Sequence, residues 1–285
     1  MRHDAIMTAQ GQPTEDDMTG SSGPTDSGQQ PRIYVGTVPF EVTTLRRAAQ
    51  LVIENGKRRR GLSVRLANAF CVAMAAKDPA YDQLLNGPGM NFPDGTPVVW
   101  AMRTQSARGL KPERVRGPSL FESVIDIGRA SNVRHFLLGT TEETLNLLES
   151  NIQERYPGTM IAGKHAPEFG PVNDRFVAEA AIIIESAKTD IVWIALGSPK
   201  QDFASVRLAK AIGRPCIGVG AAFDFIAGTA KEAPPWMQRN GLEWIYRFMT
   251  EPRRLWSRYT IGNVQFLRSI ARNQLLGKRT QLSSK

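Results

Sequence analysis

Apolar positions along this chain fall into short β-branched runs and longer stretches of helical period, in alternation. Ser63 to Ala69, His135 to Leu138, Thr159 to Ala162, Ile191 to Leu196 and Pro215 to Val219 read as strands, with a first short strand at Arg32 to Val35. Uninterrupted apolar runs of this kind are those of strands covered on both faces of a parallel sheet. Between them lie helical patterns, at about Thr44 to Asn55, Ala69 to Lys77, Gly117 to Arg129, Glu142 onward with Leu145, Leu148 and Ile152 on one face, and Asn173 to Ala187. Gly117-Pro118-Ser119 reads as the cap of its helix, with Glu122 in the capping-box position. Val98 to Met102 reads as a further apolar strand, after a loop dense in Gly, Pro and Asn from Asn86 to Pro97. Strands alternating with helices at this spacing predict an α/β fold, a mostly parallel Rossmann-like sheet with helices on both faces.

Two ends of the chain depart from that pattern. Residues 1–31 are rich in Gly, Ser, Thr, Gln, Asp and Pro and hold almost no large apolar side chain, so they are expected to form a disordered tail. The α/β domain is expected over 32–232. Residues 233–285 are expected to form a basic helical appendage, with helical patterns at Trp236 to Met249 and Arg254 to Arg272 broken at Glu251-Pro252.

Charge sharpens this division. The chain of 285 residues carries +9, and from Trp236 to Lys285 ten Lys or Arg stand against two acids, a net +8. Trp244, Tyr246, Trp256, Tyr259 and Phe266 interleave with these arginines. Such a block implies a polyanionic partner: an anionic membrane surface, a diphosphate or a nucleic acid. No run of apolar residues is long enough to span a bilayer. The N-terminus lacks the basic-then-apolar design of a signal peptide, which gives a cytoplasmic protein as the expectation. Cys71 and Cys216 stand alone in apolar surroundings and read as reduced core thiols.

Candidate chemistry gathers where the strands end. The stretch Asp190 to Gly228 holds two strand-loop-helix units, and ligands of open α/β sheets bind at the carboxyl edge of the strands. Gly197-Ser198-Pro199 ends one strand, and Lys200, Gln201 and Asp202 open the next helix, a cation and an amide at a helix N-terminus suited to an anion. Gly218 and Gly220 end the other strand and admit a close backbone approach; Asp224 follows. Asn68 is polar at the end of an apolar strand. Asp94, in Asn91-Phe92-Pro93-Asp94-Gly95, is either a general base in a rigid loop or an ordinary Asp-Gly turn. His3, His135 and His165 are scattered and suggest neither a metal cluster nor a Ser-His-Asp triad. No Asp-x-Asp occurs, so no metal clamp on a diphosphate is expected and arginines take that part. The full GxGxxG fingerprint of a nicotinamide enzyme is missing, and a basic α/β nucleic-acid-binding protein is the alternative from another class.

Five motifs in order carry a resemblance. They are Asn91 to Gly95 with Val98-Val99, Glu113 to Phe121, Gly197 to Asp202, Gly218 to Asp224, and Ala233 to Met237 continuing through Gly241 to Trp244 and Glu251 to Arg254. Together, over about Ile33 to Ala271, the chain resembles the WecG/TagA/CpsF glycosyltransferases, glycosyltransferase family 26. The resemblance implies an inverting transfer of a hexosyl group, of N-acetylmannosaminyl or glucosyl type, from a UDP-sugar to a sugar on undecaprenyl diphosphate, at the inner face of the cell membrane. It implies no cofactor, and self-association is plausible within it. By the same resemblance Asp94 is the base and Arg114 lies near the leaving diphosphate. Asn68, Gln201 and Asp224 match the donor site, to which Gly197 and Gly220 are added by their strand-end position; from the charge a departing UDP would build, one or more of Arg247, Arg253, Arg254 and Arg258 is expected to fold over it. Leu66 stands where the family often has Thr, and Pro93 where Ala is usual.

Overall fold

The computed structural model describes residues 30–106, 111–250 and 265–271. A hairpin of β1 (Arg32–Val35) and β2 (Val38–Glu41) leads into α1 (Leu45–Lys57), β3 (Ser63–Ala67), α2 (Ala69–Ala75), α3 (Pro79–Asn86), β4 (Met90–Pro93) and α4 (Thr96–Arg103). The chain continues as α5 (Gly117–Gly128), β5 (Arg134–Gly139), α6 (Glu142–Arg155), β6 (Met160–His165), α7 (Asp174–Ser186), β7 (Ile191–Ala195) and α8 (Lys200–Ile212). It then forms β8 (Cys216–Gly218), α9 (Ala222–Ala227), α10 (Pro235–Arg239) and α11 (Glu243–Thr250), and 265–271 is again helical. Thr44, Asn68, Asp78, Thr141 and Asn173 each cap a helix by accepting a backbone N–H of its first turn.

Six strands form one parallel sheet in the order β4-β3-β8-β7-β5-β6. Along β7, Ile191 and Trp193 point to one face while Val192 and Ile194 point to the other. The first face is covered by α1, α5, α6 and α9, where Phe121 meets Trp193 edge-on with ring centroids 4.8 Å apart. The second is covered by α7 and α8, through Ile184, Ala204 and Leu208. Beside it, β1, β2, α2, α3 and α4 enclose a further cluster with Phe40, Tyr81, Met102 and Phe266. After β3 the chain therefore turns to one side and after the neighbouring β8 to the opposite side. The diverging chain ends open a crevice at the carboxyl edge, the switch point of a doubly wound sheet.

The doubly wound parallel reading stands, with two corrections of detail. Val98 to Met102 is not a strand but the body of α4, begun by Pro97 in its first turn, with Val98, Val99 and Met102 on the buried face and Trp100 59% exposed. The strand lies just before it, inside the stretch read as a loop: Phe92 is buried, and the Asn91 amide nitrogen donates to the Pro39 and Leu85 carbonyls, both at 2.7 Å, while its Oδ1 is buried without a partner among the described residues. Pro93 is tolerated because β4 is an edge strand. The capping box is also absent. Arg116 is the N-cap of α5 and makes no side-chain cap bond, while Glu122 is turned to Arg155. The Glu251-Pro252 break and Arg253, Arg254 and Arg258 lie outside the described residues, and Arg247 has its backbone alone described within α11.

Cys71 and Cys216 are buried free thiols, as expected. His135 is structural: fully buried, it accepts from Trp193 Nε1 at its Nδ1 over 3.1 Å, and burial pulls its pKa from 6.5 down to about 3. A depressed histidine pKa means that the unfolded chain takes up the proton first. Its contribution is thus complete above pH 6.5 and is eroded as pH falls from there towards about 3. Asp202 runs the opposite way, because burial raises its pKa to about 6 and the folded state binds that proton first. We predict that His135→Leu loses less stability than the native protein between about pH 7 and about pH 4, read as urea midpoints at each pH. Parallel curves for the two proteins would refute it.

Candidate active site

Two chambers open at the carboxyl edge, and they share a wall. The first is lined by Thr96, Pro97, Arg114, Gly241 and Trp244; the second by Leu66, Arg116, Gly197, Ser198, Gln201 and Gly220. Asn68, Phe70, Asp94 and Glu243 line both.

The shared wall is built by the ends of two neighbouring strands. Asp94 follows β4, and its N–H donates to the Ala67 carbonyl at 2.9 Å, so the β3/β4 ladder sets the position of its backbone. Asn68 follows β3 and its Oδ1 accepts from the Phe70 and Cys71 N–H groups, which fixes the side chain as the cap of α2. Gly95, at φ 114°, turns the chain sharply from Asp94 into α4. Val115 N–H donates to the Pro93 carbonyl at 2.9 Å, which brings Arg114 and Arg116 to either side of Asp94. Both guanidinium groups are close enough to feel the Asp94 charge.

On the other side of the second chamber, the β7 and β8 loops face one another. Gln201, at the start of α8, is 4% exposed, and its Nε2 donates to Ser198 Oγ at 3.3 Å. Gly220 sits opposite at φ 56°. A Cβ at Gly117 would come within 2.8 Å of the Val219 carbonyl, so α5 can abut the β8 loop only through a glycine.

The structure thus brings Asn68, Asp94, Gln201, Gly197 and Gly220 to the two chambers and Arg114 to the first. Asp224 is half-buried on the first turn of α9 and lines neither, although Ala221, Ala222 and Phe225 beside it line the second. The expected anion nest at the start of α8 is dispersed. Lys200 places its ammonium 5.0 Å from the centre of the Phe169 ring, and Asp202 is buried against Tyr81, whose hydroxyl donates to it at 2.8 Å.

Sequence reasoning missed Arg116 and Glu243. Arg116 is 7% exposed, and Glu243 of α11 takes a fork from it: Nε to Oε2 and Nη2 to Oε1, each 3.0 Å. Gln238 accepts from the same guanidinium at 2.7 Å, and Glu232 lies 3.6 Å away. Arg114 adds a 2.9 Å bond to the Gln238 carbonyl. The period-two spacing of Arg114 and Arg116 around the buried Val115 was the signal available in the sequence.

The arrangement offers a carboxylate between two ligand-sized spaces, flanked by cations, with glycine-lined backbone on one side and a half-exposed indole on the other. Comparison with known proteins fits it. Over 205 residues, 70% of this chain and 75% of the relative, it is 31% identical to the N-acetylglucosaminyldiphosphoundecaprenol N-acetyl-beta-D-mannosaminyltransferase of Bacillus subtilis strain 168. The enzymes of the same name from Bacillus spizizenii and Staphylococcus aureus strain MRSA252 are each 30% identical, over 70% and 66% of this chain and 76% and 72% of theirs. Residues 33–280 match one family throughout, and the chain belongs to it: it is a glycosyltransferase of the Glycosyl transferase WecG/TagA/CpsF family.

Proposed function

We propose that this glycosyltransferase moves a hexosyl group from a UDP-sugar to a sugar carried on a polyprenyl diphosphate, with inversion at the anomeric carbon. The observation that carries the reading is the position of Asp94 on the wall common to both chambers. A transferase has to bring two reactants to one base, and the chambers supply a space on each side of it. The donor takes the second chamber, where Gly197 and Gly220 allow close approach of a nucleotide and Gln201 reads it, with Asp224 of α9 next to the Ala222 and Phe225 that line it. The acceptor takes the first, against Trp244 and Arg114.

In this reading the acceptor hydroxyl attacks the anomeric carbon as the bond to UDP breaks, and Asp94 takes the hydroxyl proton. Negative charge grows on the leaving diphosphate. Arg114 and Arg116, on either side of Asp94, stabilise it electrostatically, and Arg247, Arg253, Arg254 and Arg258 are proposed to add to them from the C-terminal block. No metal step is needed. The curated relatives are named for transfer of N-acetylmannosamine to N-acetylglucosaminyl-diphosphoundecaprenol, and that donor and acceptor are the first to test.

A polyprenyl chain holds its acceptor in a bilayer, so the enzyme has to work at a membrane surface. Among the described residues no helix is long and apolar enough to cross one. Peripheral docking on the anionic inner leaflet, rather than on nucleic acid, is the assignment for the +8 of residues 236–285.

The test is UDP release from a panel of UDP-sugars with a lipid-diphosphate-sugar acceptor, with and without EDTA. We predict release with one donor, dependent on acceptor and unchanged by the chelator. Release abolished by EDTA would overturn metal independence, and no release with any pairing would overturn the donor class.

A further inference from the structure

Asp202 is 1% exposed, yet it lies one residue from a chamber wall and is bonded on several sides. An ionised carboxylate only accepts hydrogen bonds. Tyr81 Oη donates to its Oδ2 at 2.8 Å, and the Ser198 hydroxyl also bonds this carboxylate, necessarily as donor. With its proton committed to Asp202, Ser198 Oγ is an acceptor towards Gln201, which meets it with Nε2 at 3.3 Å. The Gln201 amide is therefore held one way round. Its Oε1 is buried with no partner among the described residues and stands 3.5 Å from where a Cβ of Gly220 would be, against 3.7 Å for Nε2, which lies instead 3.1 Å from the Cβ position of Gly218. A buried acceptor left without a donor is a defect in the free protein and a recognition element once a ligand supplies the donor.

We propose that Asp202 is a positioning residue: acting through Ser198, it orients Gln201 with the carbonyl oxygen towards Gly220, so that the second chamber selects a ligand presenting a hydroxyl or N–H there. This rests on the donor site assigned above and reverses the expectation that the start of α8 grips an anion. A phosphate oxygen facing Oε1 is repelled; a sugar hydroxyl or the N–H of a base is held.

The relay carries its own signature. Arg65 from β3 favours the carboxylate by its charge, while Tyr81 from α3 and Cys71 from α2 face it as neutral groups, their pKa values driven up chiefly by burial. Burial outweighs these partners and places Asp202 at about 6. Once protonated, Asp202 can donate to Ser198 Oγ, whose own proton then turns to Gln201 Oε1. The amide reverses, and Nε2 faces Gly220 in place of the carbonyl.

Two measurements test this. In the free protein, the Gln201 side-chain amide resonances are followed by NMR from about pH 7.5 to about pH 5; they titrate in the native chain and stay fixed in Asp202→Asn. Binding of UDP-N-acetylmannosamine is followed by calorimetry over the same range, a UDP-sugar being used because the terminal phosphate of free UDP itself titrates near pH 6, about where a phosphate monoester does. Affinity of the native protein falls about tenfold towards the acid end, while Ser198→Ala and Asp202→Asn bind about tenfold more weakly throughout and show no acid limb. An amide that does not titrate, or variants that keep the acid limb, would overturn the relay. Titration of the amide without binding of any UDP-sugar would uphold the relay and sink the donor assignment instead.

Discussion

Asp94→Asn is expected to lower turnover by on the order of 100-fold to 10,000-fold, the usual worth of a general base, while the donor KM stays within about threefold. The carboxamide is the same size as the carboxylate, and the residue is held by its backbone N–H bond to Ala67, which the change leaves in place. What disappears is the ability to take a proton from the acceptor hydroxyl. Arg114 and Arg116 keep their charge and lose a neighbouring anion, which favours a diphosphate in its place. Glu243 is the other carboxylate, among the described residues, that lines both chambers, and both of its oxygens accept from Arg116. A paired carboxylate of that kind is a poor base. Initial rates of UDP release from the folded variant decide the matter, and a loss smaller than about tenfold would remove Asp94 from the chemistry.

Most of the site's wall was legible in the sequence for a physical reason. Asn68, Gly197, Gln201 and Gly220 stand where an apolar run gives way to polar or glycine positions, and in a parallel sheet those ends converge on one edge; Asp94 was singled out as the base by the resemblance, its own strand having gone unread. The runs themselves are readable because these strands are covered on both faces: β7 and β8 hold only apolar residues and glycine, and β3 and β5 keep apolar runs despite the buried Arg65 and His135. Where burial is uneven, the reading slips. β4 carries Asn91 and Pro93, and the Asn91 amide finds its acceptors only in partners such as the Pro39 carbonyl 52 residues away, so the strand passes for a loop. Val98-Val99 looks like a strand because β-branched residues favour one; Pro97 and the burial of Met102 three residues on make it a helix. Arg116 with Glu243, and Tyr81 with Asp202, are separated by 127 and 121 residues, and no local pattern announces either pair. What the sequence could show was that arginines gather before α5; which of them is a ligand group and which a fastener depends on what folds back onto them.

Arg116→Ala is expected to release α10 and α11 from the body of the enzyme. One guanidinium at the start of α5 holds Glu243 by two bonds, Gln238 by one and Glu232 at 3.6 Å, while Arg114 adds a bond to the Gln238 carbonyl and a looser 3.7 Å ion pair with Glu243, so Arg116 carries most of the fastening. Removing one member of a buried pair costs about 3–5 kcal/mol, because the remaining charge is left uncompensated. Glu243 and Glu232 keep 20% and 31% of their side-chain surface in water, which places this case near the lower end of that range, at about 3 kcal/mol. Local undocking should then become on the order of 100-fold more frequent, seen as faster proteolysis after the basic residues of 231–247 at a folding midpoint that moves much less. Lysine is not expected to rescue, since it cannot reproduce the fork that meets both oxygens of Glu243. Arg116→Ala with Glu243→Ala should be milder than Arg116→Ala alone, because Glu243 is then not left beside Asp94 with only the looser Arg114 pair at 3.7 Å. Turnover should fall in all three variants, through loss of the Glu243 and Trp244 side of the first chamber. If the single variant were cleaved at the native rate, Arg116 would not be the fastener, and Arg114, through Gln238 and Glu243, would have to hold α11 in place together with the close approach of Gly241 to Thr96.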